Sequence, residues 1–216
     1  MSDESAADGA LAGDRRRTIR IGLTGPIGCG KSAVAAWLGE RGAVVIDADV
    51  VARAASAPGE PAYDAILAVF GDGVRSDSRS LDRAALARVV FADPDALARL
   101  EAIVHPVVRQ QILAAIARAE VEGAPGVVIE AIKLVEGGLA EICDEVWLVT
   151  CEPPIQRGRV IDRGASPDDA DRRIAAQGNL AERVRPGATR VVDTSGPIGD
   201  ARAWVAASWD AATRRR

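Results

Sequence analysis

Three shortages in the sequence limit what the protein can be: it has little lysine, one histidine and no long hydrophobic run. No stretch approaches the roughly 20 consecutive apolar residues that a membrane-spanning helix needs. The single histidine has no second histidine with which to bind a metal ion. Residues 1–17 are polar and lack the apolar core of a signal peptide, so we expect a cytoplasmic protein with no membrane partner.

Cysteine content and net charge argue against two further classes. Cys29, Cys143 and Cys151 are odd in number and lack the spacing of metal ligands, which favours free thiols. The formal net charge is −4, and the arginine runs at 15–17 and 214–216 are short and terminal. Because proteins that bind nucleic acids usually carry a broad basic surface, we expect no nucleic-acid partner.

The strongest motif is Gly-Pro-Ile-Gly-Cys-Gly-Lys-Ser at residues 25–32, which matches the phosphate-binding pattern G-x-x-x-x-G-K-S at every position. An apolar run precedes it at 19–24 and a helical pattern follows from residue 33, which is the context that this motif requires. Its glycines allow successive backbone N–H groups to point at phosphate oxygens, and the helix directs its positive end at the same anion. A chance glycine turn is the alternative.

The motif assigns roles to single residues. Lys31 would reach the β- and γ-phosphates, and the Ser32 hydroxyl would coordinate Mg²⁺. Lysine otherwise occurs only at position 133, all other fixed cations being arginine, so a lysine at this place in the motif is informative. The predicted nucleoside triphosphate site comprises Gly25, Gly28, Cys29, Gly30, Lys31, Ser32 and Ala33. We expect Cys29 to bind through its backbone and not through its thiol.

Short apolar runs alternate with helical patterns along the chain. Near-continuous apolar runs are typical of parallel strands covered on both faces, so we predict an α/β fold of the P-loop kinase type, with three layers and a five-stranded parallel sheet. The predicted strands are 18–24, 43–46, 126–130, 144–150 and 190–193. The predicted helices are 33–42, 62–70, 81–91, 94–122 with a bend at Pro106, 153–163, 167–177 and 198–212.

We expect a disordered leader at 1–17 and one domain at 18–216. Its core would comprise residues 18–49 and 124–216. The helical block between the second and third strands, at about 50–123, is longer than a simple crossover and is predicted to be an inserted substrate-binding region. A lid is predicted at about 155–185.

Two aspartates follow the second predicted strand. If the chain stays extended, Asp47 and Asp49 share a face and project together from the carboxyl end of the strand. In open parallel sheets, ligands bind at that edge. The alternative is that these aspartates cap the next helix.

The predicted lid is locally positive. Residues 157–190 hold eight arginines and five acids, and Arg159 and Arg163 are four residues apart on one predicted helix. Like charges at this spacing repel, and a polyanion between them would offset the repulsion. We predict a lid that closes over the triphosphate and excludes water, although surface arginines paired with nearby aspartates would show the same pattern.

Several segments, in order, resemble dephospho-CoA kinases. They run from about residue 19 to 196 and include Ile-Gly-Leu-Thr-Gly before the phosphate loop, Val-Ile-Asp-Ala-Asp at 45–49, Leu-Glu-Ala-Ile-Val-His-Pro at 100–106 and Ala-Gln at 176–177. The resemblance implies ATP-dependent phosphorylation of the ribose 3′-hydroxyl of dephospho-CoA. It also implies a nucleotide core, a helical acceptor-binding region and a lid.

The resemblance also implies residue roles. Asp49 would orient the acceptor hydroxyl and finally accept its proton, and Asp47 would help to hold Mg²⁺. Arg159 and Arg163 would contact phosphates from the lid and act with Lys31 in catalysis. The acceptor side would comprise Asp49, Arg53, Arg83, His105 and Arg109. A hydrogen-bonded structural histidine is an equal alternative for His105.

Two segments depart from the family pattern. Where the family usually has an aspartate followed by Pro-Leu-Leu, this chain has Glu-Ala-Ile-Lys-Leu-Val-Glu at 130–136, so Lys133 replaces an apolar residue and is either an anion contact or a surface residue. Asp-Thr-Ser-Gly at 193–196 replaces the usual aspartate and asparagine, which weakens the assignment of adenine contacts there.

Two other functions stay open at this point. Another small-molecule kinase would share the phosphate loop and the lid. A nucleotide-dependent switch would fit the D-x-x-G string at 193–196, although no guanine-reading N-K-x-D follows it. Beyond the small-molecule substrates ATP and dephospho-CoA, we expect a monomer or a weak homo-oligomer.

Overall fold

The computed structural model describes residues 17–214, and its centre is a parallel sheet. The strands are β1 (Ile19–Thr24), β2 (Val44–Asp47), β3 (Gly126–Glu130), β4 (Glu145–Thr150) and β5 (Arg190–Asp193). They lie in the order β2-β3-β1-β4-β5, and every neighbouring pair is parallel. The predicted α/β class and the five-stranded parallel sheet are confirmed.

Helices connect the strands along the described residues. They are α1 (Lys31–Gly39), α2 (Ala48–Ala55), α3 (Pro61–Phe70), α4 (Arg83–Ala92), α5 (Pro94–Val121), α6 (Pro153–Asp162), α7 (Pro167–Gln177), α8 (Leu180–Val184) and α9 (Ile198–Arg214). Short 3-10 turns lie at Asp72–Val74, Leu139–Ile142 and Arg185–Gly187. None of these helices, α5 and α9 included, is long and apolar enough to cross a membrane.

The capping signals in the sequence set the helix starts. Asp93 caps α5 and Ser166 caps α7 through side-chain oxygens that accept backbone N–H groups, and a proline follows each cap. Both predicted starts are confirmed. The short helix α8 was not predicted, and α1 ends at Gly39, before the predicted residue 42. Helix α5 continues through Pro106, and its predicted bend stays a prediction.

Apolar side chains cover both faces of the sheet, which gives three layers. On one face, α1 and α9 contribute Val34, Leu38, Val205 and Trp209 to a core with β1 and β4. On the other face, α5 packs against β2 and β3 through residues that include Ile112. Helices therefore hold the sheet on both faces. The carboxyl ends of its strands lie together at one end of the sheet, where ligands bind in such folds.

The helical block has a core of its own. Side chains from α3, α4 and the first half of α5 pack together, with Tyr63, Ile66, Leu86 and Val90 buried among them. The block lies between β2 and β3 in the sequence, as predicted. The predicted boundaries of core, insertion and lid stay predictions, and the predicted leader lies outside the described residues except for Arg17.

Candidate active site

The loop between β1 and α1 holds its glycines in conformations that side chains rarely adopt. Gly25, Gly28 and Gly30 have φ angles of 144°, 79° and 89°. A Cβ atom on Gly25 would lie 2.0 Å from the backbone oxygen of Val149. Because Gly30 begins α1 without a capping side chain, the first N–H groups of the helix are available to an anion.

A small cavity of about 180 Å³ opens beside this loop, and we call it the small cavity. It brings together predicted site residues from three segments: Lys31, Ser32, Asp47, Asp49 and Arg163. Gly28 and Gly30 also line it. The other residues predicted for the triphosphate site, Gly25, Cys29 and Ala33, lie in or next to the loop but outside this lining.

Lys31 is buried with few partners for its charge. Its side chain is 9% exposed, and its ammonium group donates to the backbone oxygen of Pro26 at 3.2 Å. Burial lowers the pKa of Lys31, while the carboxylates of Glu130 and Asp49 oppose that shift. An anion in the small cavity would therefore stabilise the charged form of this lysine.

Glu130 is a site residue to which the sequence analysis gave no role. The Ser32 hydroxyl donates to its Oε1 at 2.9 Å, and burial raises the pKa of Glu130. Glu130 ends β3, where it is the register partner of Leu23 in β1 and Asp47 in β2. The position of Glu130 at the end of a predicted strand could have indicated a site residue, because the carboxyl ends of neighbouring parallel strands share one edge.

Asp47 is the last residue of β2, and Asp49 lies in the first turn of α2. Asp47 caps α2: its Oδ1 accepts the N–H groups of Asp49 at 2.8 Å and Val50 at 3.0 Å. The chain therefore does not stay extended beyond Asp47, and the alternative that Asp47 caps the next helix is confirmed, because its carboxylate satisfies the free N–H groups of a helix that begins at Ala48. Both carboxylates still line the small cavity.

A second cavity of about 500 Å³, the large cavity, lies between α2, α4, α5 and the turn after β3. Arg53, Arg83 and His105 line it, whereas Arg109 does not. Arg109 donates to the backbone oxygen of Gly138 at 2.8 Å. His105 makes no hydrogen bond to the described residues, which favours the cavity-lining interpretation over the structural one.

The two cavities meet. Asp49, Ala131 and Ile132 line both of them. The large cavity is mainly apolar elsewhere, with side chains such as Leu86 and Leu100. A ligand bound in the large cavity would therefore reach the small cavity beside one carboxylate.

The lid arginines divide into two groups. Arg163, at the C-terminal end of α6, lines the small cavity, whereas Arg159 donates to the side chain and backbone of Thr194 at 2.9 and 2.8 Å. Arg157 forms two hydrogen bonds with Asp171, as the surface interpretation expects. The structure thus places one of the two predicted catalytic arginines at the cavity.

The lid also contacts the phosphate loop through two glutamines. The Gln156 side chain donates to the backbone oxygen of Ile27 at 2.9 Å. The Ile27 N–H donates to the Gln177 side-chain oxygen at 2.7 Å. Both contacts link α6 and α7 to the loop, and the sequence analysis predicted neither.

Comparisons with known proteins agree on one family. A family model described as dephospho-CoA kinase matches residues 19–200. A dephospho-CoA kinase from Symbiobacterium thermophilum is 47% identical over 193 residues, which cover 89% of this chain and 80% of the relative.

Solved structures share the fold. TT1252 from Thermus thermophilus is 37% identical with a TM-score of 0.77, and the match covers 90% of this chain and 98% of that one. A dephospho-CoA kinase from Campylobacter jejuni is 21% identical with a TM-score of 0.66, covering 90% and 97%. The predicted P-loop kinase fold is confirmed.

Proposed function

The chain belongs to the dephospho-CoA kinase family, whose members use ATP to phosphorylate dephospho-CoA to CoA, and we propose that it performs this transfer where its two cavities meet. One observation carries the proposal: Asp49 lines both the small and the large cavity. Phosphoryl transfer requires a donor phosphorus and an acceptor oxygen held in line. A carboxylate shared by both cavities can orient the ribose 3′-hydroxyl of dephospho-CoA towards the γ-phosphate.

The small cavity would hold the triphosphate. The loop N–H groups and the start of α1 would bind an anion there, and the buried Lys31 supplies a positive charge. Because this lysine has been removed from water, its attraction for phosphate is stronger than that of an exposed lysine. Its role is to fix the β- and γ-phosphates and to stabilise the charge of the transition state.

Asp49 acts mainly by position. A free carboxylate is too weak a base to deprotonate a ribose hydroxyl before transfer begins. In a loose phosphoryl transfer the proton can leave late, so a carboxylate that orients the hydroxyl can accept the proton as the new bond forms. Asp49 is exposed and lies in the first turn of α2, which leaves its carboxylate accessible from both cavities.

The oxygen donors of the small cavity fit Mg²⁺. Hydroxyl and carboxylate groups of Ser32, Asp47 and Glu130 line one cavity, and such hard oxygen ligands suit this ion. In the described part of the chain no three His, Cys, Asp or Glu residues form a ready-made site. Mg²⁺ usually takes one or two carboxylates and completes its shell with phosphate oxygens. When bound, it would neutralise charge on the transferred group.

Arg163 would contact the phosphates from the lid. It lines the small cavity and is close enough to Lys31 to lower the pKa of that lysine further. Two like charges in one cavity repel, so a triphosphate between them offsets the repulsion. Closure of α6 and α7 over the triphosphate would also exclude water, which favours transfer to the acceptor over hydrolysis.

We expect the enzyme to work in the cytoplasm as a monomer or a weak homo-oligomer. The family relationship supports the first expectation. Size-exclusion chromatography with light scattering at several protein concentrations would measure the assembly.

A coupled assay of ADP formation tests the function. With ATP, Mg²⁺ and dephospho-CoA we expect steady turnover, and the product should carry a phosphate on the ribose 3′-oxygen when examined by phosphorus NMR. Parallel reactions would contain a nucleoside, a nucleotide or a sugar acid as acceptor. Preferred turnover of one of these, with none of dephospho-CoA, would contradict the proposal.

A further inference from the structure

Lys133 lies in the wall of the large cavity and forms an ion pair with a carboxylate of helix α5. Its Nζ lies 2.6 Å from Oε1 of Glu101 on α5. Both side chains line the cavity, and so does His105, one helical turn after Glu101. The ion pair therefore spans the cavity wall between α5 and the turn that follows β3.

The large cavity contains more cations than carboxylates. Arg53, Arg83 and Lys133 line it together with Asp49 and Glu101. Arg83 donates to the backbone oxygen of Arg53 at 3.1 Å, and neither arginine forms an ion pair with an acid among the described residues. Lys133 is the one cation of this lining that an internal carboxylate neutralises. Such a lining suits an anionic ligand.

The ion pair is easily exchanged. The Lys133 side chain is 56% exposed and that of Glu101 is 33% exposed. Solvent screens ion pairs of this exposure, so breaking one costs little free energy. Phosphate groups carry more charge than one carboxylate and offer several acceptor oxygens, so they would compete well for the ammonium group.

We propose that Lys133 is a specificity-determining residue: its ammonium group leaves Glu101 and binds the diphosphate of dephospho-CoA when the acceptor enters the large cavity. This inference rests on the proposed function. While the acceptor is absent, Glu101 is the counter-ion of Lys133 and keeps the lysine side chain at the cavity wall.

The position of Lys133 agrees with the geometry of the acceptor. In dephospho-CoA the diphosphate is attached to the ribose whose 3′-hydroxyl must reach Asp49. The ribose therefore lies at the junction of the cavities, which Ala131 and Ile132 also line. Lys133 follows Ile132 directly and lines the large cavity but not the small one. It therefore lies on the acceptor side of that junction.

Three substitutions distinguish a binding residue from a structural ion pair. Lys133→Met removes the charge and keeps the length of the side chain, Lys133→Arg keeps the charge, and Glu101→Gln removes the competing anion. We would measure kcat and the KM values for dephospho-CoA and ATP in the ADP assay, with thermal unfolding of each variant. Arg118→Met is the charge-matched control, because Arg118 lies on α5 about 25 Å from Glu101 at 1.5 Å per residue.

For Lys133→Met we expect the KM for dephospho-CoA to rise about tenfold, as for loss of one charge-assisted hydrogen bond, with kcat and the KM for ATP unchanged. Lys133→Arg should stay within about threefold of the parent, and Arg118→Met should match it. Glu101→Gln should lower the KM for dephospho-CoA, because the lysine is then free for the ligand.

Two outcomes would overturn the inference. If Glu101→Gln raises the KM for dephospho-CoA as much as Lys133→Met does, the pair is structural. If Lys133→Met leaves that KM unchanged, Lys133 is a surface residue. Both outcomes require that the parent enzyme turns over dephospho-CoA, and absence of that turnover would count against the proposed function instead.

Discussion

The small cavity lies at the phosphate loop and the carboxyl ends of the strands, whereas the large cavity lies mainly between helices. In the small cavity, glycines with positive φ curl the loop, and the register of β2 and β3 sets Asp47 beside Glu130. The large cavity is bounded by helices of the inserted block, whose apolar residues include Ile66, Leu86 and Leu100. Side chains of α3, α4 and the first half of α5 form a core of their own, and Val104 and Val107 pack against both that core and a core of the sheet.

This difference indicates that the two cavities have different roles, one in phosphate binding and one in acceptor binding. Backbone groups fixed by sheet and loop can hold transferring phosphates with little reorganisation, as transition-state stabilisation requires. Side chains on an inserted block can vary without disturbing that geometry. Changes in the small cavity should therefore affect turnover or the use of ATP, and changes in the large cavity should affect the affinity for the acceptor.

The largest effect is expected for Lys31→Ala. Loss of the buried ammonium group should lower kcat by about 10³-fold, because no other lysine lies near the loop and transition-state charge loses its fixed partner. The ADP assay measures kcat, and thermal unfolding checks that the variant is folded. Turnover close to that of the parent enzyme would show that the small cavity is not the phosphate site.

Arg163→Ala should affect the use of ATP. We expect the KM for ATP to rise about tenfold, since a charge-assisted contact to phosphate is lost. Arg157→Ala is the matched control on the same helix, because Arg157 pairs with Asp171 and lines neither cavity. Equal KM values for the two variants would place Arg163 among the surface arginines.

Asp47 belongs to both regions, since it lines the small cavity and caps the first helix of the insertion. Asp47→Ala removes the cap and should cost about 1 kcal/mol of unfolding free energy, or about 3 °C in Tm. Asp47→Asn retains a capping oxygen and should leave Tm almost unchanged. Both substitutions should raise the Mg²⁺ concentration that gives half-maximal activity. Calorimetry and a Mg²⁺ titration of activity separate the effects. A lowered Tm for both variants would mean that the charge, and not the cap, stabilises α2.

The smallest effect concerns two cysteines, Cys151 and Cys143. Cys151 packs beside Cys29 of the loop, and a hydrogen bond from the Cys29 thiol together with nearby Arg159 lowers the pKa of Cys151. Burial raises the pKa of Cys143 to about 12. At pH 8 a lower pKa gives more thiolate, so iodoacetamide should label Cys151 before Cys143. Mass spectrometry after a short exposure measures the order, and earlier labelling of Cys143 would contradict these surroundings.

Much of the small cavity could be predicted from the sequence because its signals are local. The order of strand, glycine loop and helix identified Lys31 and Ser32 without any knowledge of the fold. The sequence left open whether the chain stays extended through Asp49 or turns into a helix that Asp47 caps, and the structure has the capped helix. That choice depends on where α2 begins, which strand alternation does not reveal.

The rest depends on contacts between distant segments. Glu130 gains its place because β3 pairs with both β1 and β2, and the sequence alone does not state the strand order. The acceptor residues came from the family resemblance. Arg53, Arg83 and His105 line the large cavity, whereas Arg109 binds the turn at Gly138. The Lys133–Glu101 pair joins residues 32 positions apart, so no local pattern indicated it.

The most direct test of the account compares Asp49→Asn with the parent enzyme, because this residue joins the two cavities. We expect kcat to fall about 10²-fold through loss of proton acceptance and orientation, while ATP affinity from calorimetry stays within about twofold of the parent value. A near-normal kcat would remove Asp49 from the reaction. It would also contradict the claim that phosphoryl transfer occurs at the junction of the small and large cavities.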